Sequence, residues 1–120
     1  MRHVQLAVLP ADGVGPEVIG ASRKVLETLA QMDGGIKFEF REFDWGSERY
    51  LKTGRLMPED GTRQLERGGF DALLVGPVGD MRIPDHVTLW GLLLPIRQEF
   101  DQYVNLRPMR LLDGVESPLR

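Results

Sequence analysis

Near the end of the sequence stand its two best chemical candidates, Arg97 and Arg107. The first falls near the end of an expected helix and the second on the strand expected next, across a connection short enough to bring their tips together. Each guanidinium is a planar, permanently charged fork that can hold a carboxylate by two parallel hydrogen bonds, and such charge-assisted bonds are roughly twice as strong as neutral ones. Together they offer a carboxylate clamp. The plainer reading, preferred on spacing alone, is that both are solvated or paired with Glu99 and Asp101.

Two glycine-bearing turns are the next candidates. In ADGVGPE, Gly13 and Gly15 permit a tight turn and Pro16 suits the first turn of a helix, whose free N–H groups could receive an anion. An ordinary strand-to-helix turn explains the spacing equally well, and Val18 stands where a dinucleotide fingerprint needs its third glycine. In GPVGDMRIPD, Gly76 and Gly79 leave room for a flat ring or a dinucleotide backbone, although a connection needing permissive angles accounts for the same residues more simply. Trp90 reads as a core or interface anchor. His3 and His86 have no spaced partner ligands, and Asp12, Glu17, Asp44 and Glu48 are most simply solvated carboxylates. No catalytic triad, zinc pattern or P-loop is present.

The elements that must position these residues alternate. HVQLAVL, His3 to Leu9, reads as a buried strand. After the first turn, Val18, Ile19, Val25, Leu26 and Leu29 form one apolar stripe at helical spacing, stopped by Gly34 and Gly35. IKFEFREF, Ile36 to Phe43, alternates as a half-exposed strand. Short helices are expected over Gly46 to Leu51 and from Pro58 through Leu65, and FDALLVG reads as a central parallel strand. A helix is expected from about Val87 to Phe100, with Pro95 an awkward interior residue unless the helix starts late or bends there. YVNLRPMRLL is expected to be a strand interrupted by Pro108. Strands separated by helices predict an α/β sheet covered on both faces, with ligands gathered beyond the strand ends. The loops after Leu9 and Val75 are therefore the places to look.

Composition narrows the function. A chain of 120 residues with a formal net charge of −3 has no overall basic field for nucleic acid. No apolar run approaches the roughly 20 residues that span a bilayer. There is no cysteine, hence no disulfide and no thiolate chemistry, and a cytoplasmic setting is expected.

The stretches LPADGVGPEV, GPVGD and PDHVTLWGLLLPIRQEFDQYVNLRP together resemble the opening third of the isocitrate and 3-isopropylmalate dehydrogenase family, the β-decarboxylating dehydrogenases. The resemblance covers nearly the whole chain. Arg97 to Pro108 is its most discriminating piece, and PDHVTLWG and EFDQYVNLRP are more similar to the tartrate and D-malate branch than to the leucine-pathway branch. It implies an αβα sandwich of which residues 1–120 hold the N-terminal part of the sheet, without an internal boundary and truncated. By the same resemblance Arg97 and Arg107 hold substrate carboxylates, and Trp90 to Leu93 helps select the C3 substituent. Gly76, Pro77, Val78, Gly79 and Asp80 border the cofactor site.

The implied reaction is oxidation of a small 2-hydroxy acid by NAD followed by decarboxylation aided by Mg²⁺ or Mn²⁺, in a protein that is a homodimer when complete. The family's third substrate arginine, tyrosine acid, lysine base and metal-binding aspartates are expected beyond this chain, which should therefore contain no catalytic residue and no metal ligand. Two positions depart from the pattern: Ala11 replaces the first glycine of the family's G-D-G-x-G opening, and Leu92 stands where this branch has a small polar residue. A 3-isopropylmalate dehydrogenase portion, or a non-catalytic remnant that binds a related subunit, are the competing expectations.

Overall fold

A computed structural model describes residues 1–119, so Arg120 of the expected 1–120 unit lies outside the described residues. Strand β1 (Arg2–Leu9) is central in a three-stranded parallel sheet of order β2-β1-β3. β2 (Ile36–Glu42) pairs with it in a register that sets Leu6 against Phe40, and β3 (Ala72–Val75) sets Val75 against Leu9. A strand flanked on both edges and covered on both faces must be apolar throughout its buried part, and Leu6, Ala7, Val8 and Leu9 are all buried.

Alternation divides those four residues between two cores. Leu6 and Val8 pack with Ile19 of helix α1 (Gly15–Asp33), joined by half-buried Phe38, Phe40 and Leu74. Ala7 and Leu9 face the other side. There they meet Phe43 and Trp45, Leu56, Leu65 of α3 (Gly61–Arg67), and Leu92 and Ile96 from the last helical stretch. Helix α2 (Ser47–Thr53) follows Trp45 and packs Tyr50 against that core. The result is the expected αβα sandwich.

The α1 stripe is narrower than its sequence pattern. Ile19 is buried and Leu26 half-buried, but Val18, Val25 and Leu29 are exposed, because the three strands beneath the helix offer no surface for its second flank. The helix stops where expected, at Gly34, whose φ of 69° is left-handed and whose N–H donates to the Ala30 carbonyl.

The expected helix around Pro95 is built in three pieces: α4 (Asp85–Thr88), a π turn (Leu89–Leu93) and α5 (Leu94–Glu99). Proline lacks the N–H that would bond back along the helix, and its ring crowds the preceding turn. Widening that turn relieves both, with the Leu94 N–H reaching back to the Leu89 carbonyl, five residues away. It also keeps Thr88, Leu92 and Ile96 on one buried face.

The expected strand over YVNLRPMRLL is not formed. Residues 103–112 run irregularly and exposed, since no neighbouring strand pairs their backbone and Pro108 has no N–H to give.

Candidate active site at the carboxyl end of the sheet

The chain leaves β1 and β3 at the same end of the sheet, and the loops that follow are bonded to one another. Gly76 N–H donates to the Leu9 carbonyl at 2.7 Å, and Asp12 N–H donates to the Pro77 carbonyl at 2.9 Å. Their backbones pass too closely for side chains: a Cβ on Gly15 or Gly76 would lie 1.8 or 2.2 Å from the Pro10 carbonyl oxygen. These two glycines are needed for packing alone. Gly15 N–H is already given to the Asp12 carbonyl at 2.9 Å and Pro16 has none, so the first turn reads as a structural connection more than an anion cradle. Ala11 adopts φ 58°, a conformation that costs an L-residue roughly 1–2 kcal/mol. The glycine missing from the family's opening is thus missing where the backbone calls for one.

Asp12 corrects the expectation of a solvated carboxylate. It is only 4% exposed and accepts three hydrogen bonds: from Ser47 N–H at 2.6 Å, from the Ser47 hydroxyl at 2.7 Å, and from Gly79 N–H at 2.8 Å. A buried carboxylate without such donors would be costly, so the two loops and the start of α2 that it joins are fixed together. Neither Asp12 nor Ser47 stood out in the sequence. The usable signal was a carboxylate inside a tight turn directly after a buried strand, where solvent access is poor.

A second link lies at the surface. Arg82 pairs with Asp80 at 2.6 Å and with Glu48, one residue beyond Ser47. Hydrogen bonds from the Arg82 guanidinium, then from its backbone N–H, hold the Asp80 carboxyl down at about 2. Glu48 is therefore paired rather than merely solvated. Gly79 has a φ of 144° and nothing within 4 Å of where a Cβ would be, leaving open space over the Gly76–Asp80 backbone.

The other expected site residues are less organised. Trp90 is 62% exposed, which removes the core half of the core-or-interface expectation, and it borders a groove of about 430 Å³ together with Tyr50, Met57 and Pro95. Leu93 is half-buried, while Leu92 is fully buried in the core. Arg97 is half-buried on α5 and Arg107 is exposed in the irregular segment. Among the described residues neither forms an ion pair, so pairing with Glu99 or Asp101 is absent, and no contact draws the two arginines into a clamp. Among the described residues no three His, Cys, Asp or Glu side chains converge, so these residues do not by themselves fit a metal ion. No described helix is long and apolar enough to cross a membrane.

A parallel sheet with helices on both faces and glycine loops meeting at its carboxyl end defines a class of α/β proteins that bind ligands at that edge. Within it, the isocitrate/isopropylmalate dehydrogenase family model matches residues 5–120, and the chain belongs to that family. It is 52% identical over its full length to a probable tartrate dehydrogenase/decarboxylase of Agrobacterium vitis. It is 46% identical over 99% of its length to the decarboxylating D-malate dehydrogenase of Escherichia coli, and 47% identical over 98% to a 3-isopropylmalate dehydrogenase of Bifidobacterium longum. In each case the chain spans 33% of the relative's length. Among solved structures, the apo β-decarboxylating dehydrogenase of Thermococcus kodakarensis superposes with a TM-score of 0.59 at 29% identity, covering 83% of this chain and 27% of that one.

Proposed function

We propose that this chain supplies the cofactor edge and part of the substrate pocket of an NAD- and divalent-metal-dependent oxidoreductase that oxidises and decarboxylates a small 2-hydroxy acid of the tartrate or D-malate type. The observation that carries this reading is the 52% identity over the whole chain to a probable tartrate dehydrogenase/decarboxylase. On this reading Arg97 and Arg107 bind substrate carboxylates, Trp90 and Leu93 border the C3 substituent, and Gly76, Pro77, Val78, Gly79 and Asp80 form the edge facing the nicotinamide cofactor. NAD, when bound, accepts the hydride, and Mg²⁺ or Mn²⁺ supplies Lewis-acid chemistry. The metal ligands and the acid–base residues belong elsewhere in the family's length, so the chain by itself binds and orients but does not turn over. The complete protein acts as a cytoplasmic homodimer.

The 47% identity to a 3-isopropylmalate dehydrogenase favours a second reading with a bulkier C3 substituent. Leu92 does not choose between the two, because its side chain is fully buried in the core.

The test uses a protein that contains this segment together with the rest of the family's length. Arg97→Lys and Arg107→Lys keep the charge but lose the planar fork. Hydrogen bonds to charged groups contribute about 1.5–3 kcal/mol, so each change should lower kcat/KM for the 2-hydroxy acid by roughly ten- to a hundredfold, with NAD binding little altered. Unchanged kcat/KM for tartrate, D-malate and 3-isopropylmalate in both folded variants removes the carboxylate assignment.

A further inference from the structure

Asp12 has no part in the chemistry proposed above, yet it is buried at this end of the sheet with three hydrogen bonds to its carboxylate. Its backbone N–H holds the Pro77 carbonyl and its carboxylate holds the Gly79 N–H, so one residue grips the Gly76–Asp80 loop at two points. The carboxylate also accepts both Ser47 donors, and the α2 N-terminus is anchored on it in turn. The fit around it is close: a Cβ on Gly46, at φ 148°, would lie 2.7 Å from Asp12 Oδ1. Outside, Arg82 ties Asp80 to Glu48 on the same helix. The loop is held from within by a buried anion and from without by an exposed ion pair.

We infer that Asp12 is a positioning residue for the cofactor edge, fixing the peptide plane at Gly79 through a hydrogen bond to a buried carboxylate. This rests on the reading that residues 76–80 face NAD. Asparagine cannot replace it. Oδ1 accepts the Ser47 N–H and Oδ2 accepts the Gly79 N–H, so either orientation of an amide turns its NH₂ toward a backbone donor that needs an acceptor. Ser47→Ala is milder, since it removes only the hydroxyl bond and leaves both backbone donors satisfied.

The experiment follows amide hydrogen exchange and NMR shifts of this chain while NAD⁺ is titrated. Asp12→Asn should speed exchange at Gly79 by roughly tenfold or more, leave Phe38 and Phe40 in β2 unchanged, and weaken the NAD⁺ response at residues 76–80 by a comparable factor. Wild-type exchange at Gly79 in the variant overturns the proposal. So does faster exchange with an unaltered NAD⁺ response, because the tether then positions nothing that the cofactor senses. If the wild-type chain gives no NAD⁺ response at residues 76–80, the cofactor reading fails and takes this role with it, although the exchange data still show whether the tether exists. Should Asp12→Asn not fold, exchange in the wild-type chain decides the tether: Gly79 N–H, bonded to the Asp12 carboxylate, should be protected, and exchange there as fast as in an unbonded exposed amide is equally decisive against the role.

Discussion

The carboxyl end of the sheet carries Gly76 to Asp80 of the expected site and the segment from Asp101 to Leu119 carries Arg107, but only the first region is organised by its own neighbours. Asp12 and Gly79 come from two loops and Ser47 from the start of α2, and they meet within hydrogen-bond distance. In the second region Tyr103, Val104, Leu106, Met109, Leu111 and Leu112 are all exposed. Arg97 and Arg107 fall on opposite sides of this divide. A site is positioned by this chain only where its elements bury one another. A strand-like sequence without a partner strand gains neither backbone pairing nor burial to offset the entropy of ordering it.

The sharpest way to break this comparison is to remove one ring from the first region. Trp45 is 3% exposed, lies 4.6 Å from the Phe43 ring between centroids, and shares the core with Leu9, Leu56 and Leu92. Trp45→Ala should cost about 3–5 kcal/mol, a large share of the 5–15 kcal/mol available to a domain of ordinary stability. Urea unfolding should show the midpoint collapse or a chain largely unfolded in buffer. A loss below about 1 kcal/mol means that the second core does not carry the fold.

Removing far more chain from the other region should do less. Deleting residues 101–120 takes away no member of either core, so the urea midpoint should move by no more than about 0.5 kcal/mol equivalent, as for surface changes. The same deletion removes exposed apolar side chains and should reduce self-association in sedimentation, which the full chain is expected to show. A markedly destabilised deletion variant shows that the segment contributes packing which its exposure does not reveal.

The contrast also explains what was legible in the sequence. β1 could be read because Leu6 to Leu9 are apolar without interruption, and β2 because Ile36, Phe38 and Phe40 alternate with charged residues; both patterns are local consequences of burial. Phe43 packs in the opposite core from Phe38 and Phe40, as continued alternation from Ile36 requires. Tyr103 to Leu112 has the same local preference as a strand, but pairing is decided by a partner that local pattern cannot specify. Asp12 was misjudged for the reverse reason: its donors, Ser47 and Gly79, lie far along the chain, so nothing beside it announces a buried carboxylate. The π turn was half legible, since Pro95 signalled a disturbance without saying which geometry would absorb it. Trp90 by residue type suits a core or an interface, and its 62% exposure excludes only the core.

The smallest expected effect separates the two tethers on the Gly76–Asp80 loop. Arg82 holds the Asp80 carboxyl at about 2, below its ordinary 3.8, so the charged form is favoured in the folded chain. A carboxylate depressed in this way stabilises the fold above its unfolded value, and that contribution is lost as pH falls from 3.8 through about 2. Because the pair is at the surface, the loss should be local and screened by salt. NMR titration of the Asp80 carboxyl should find its midpoint near 2, and Arg82→Ala should return it toward 3.8. Gly79 N–H should remain protected in that variant, because its acceptor is Asp12 rather than Asp80. If Gly79 exchange rises as much in Arg82→Ala as in Asp12→Asn, the inner and outer tethers act as one unit. The buried carboxylate then cannot be credited with holding the loop alone.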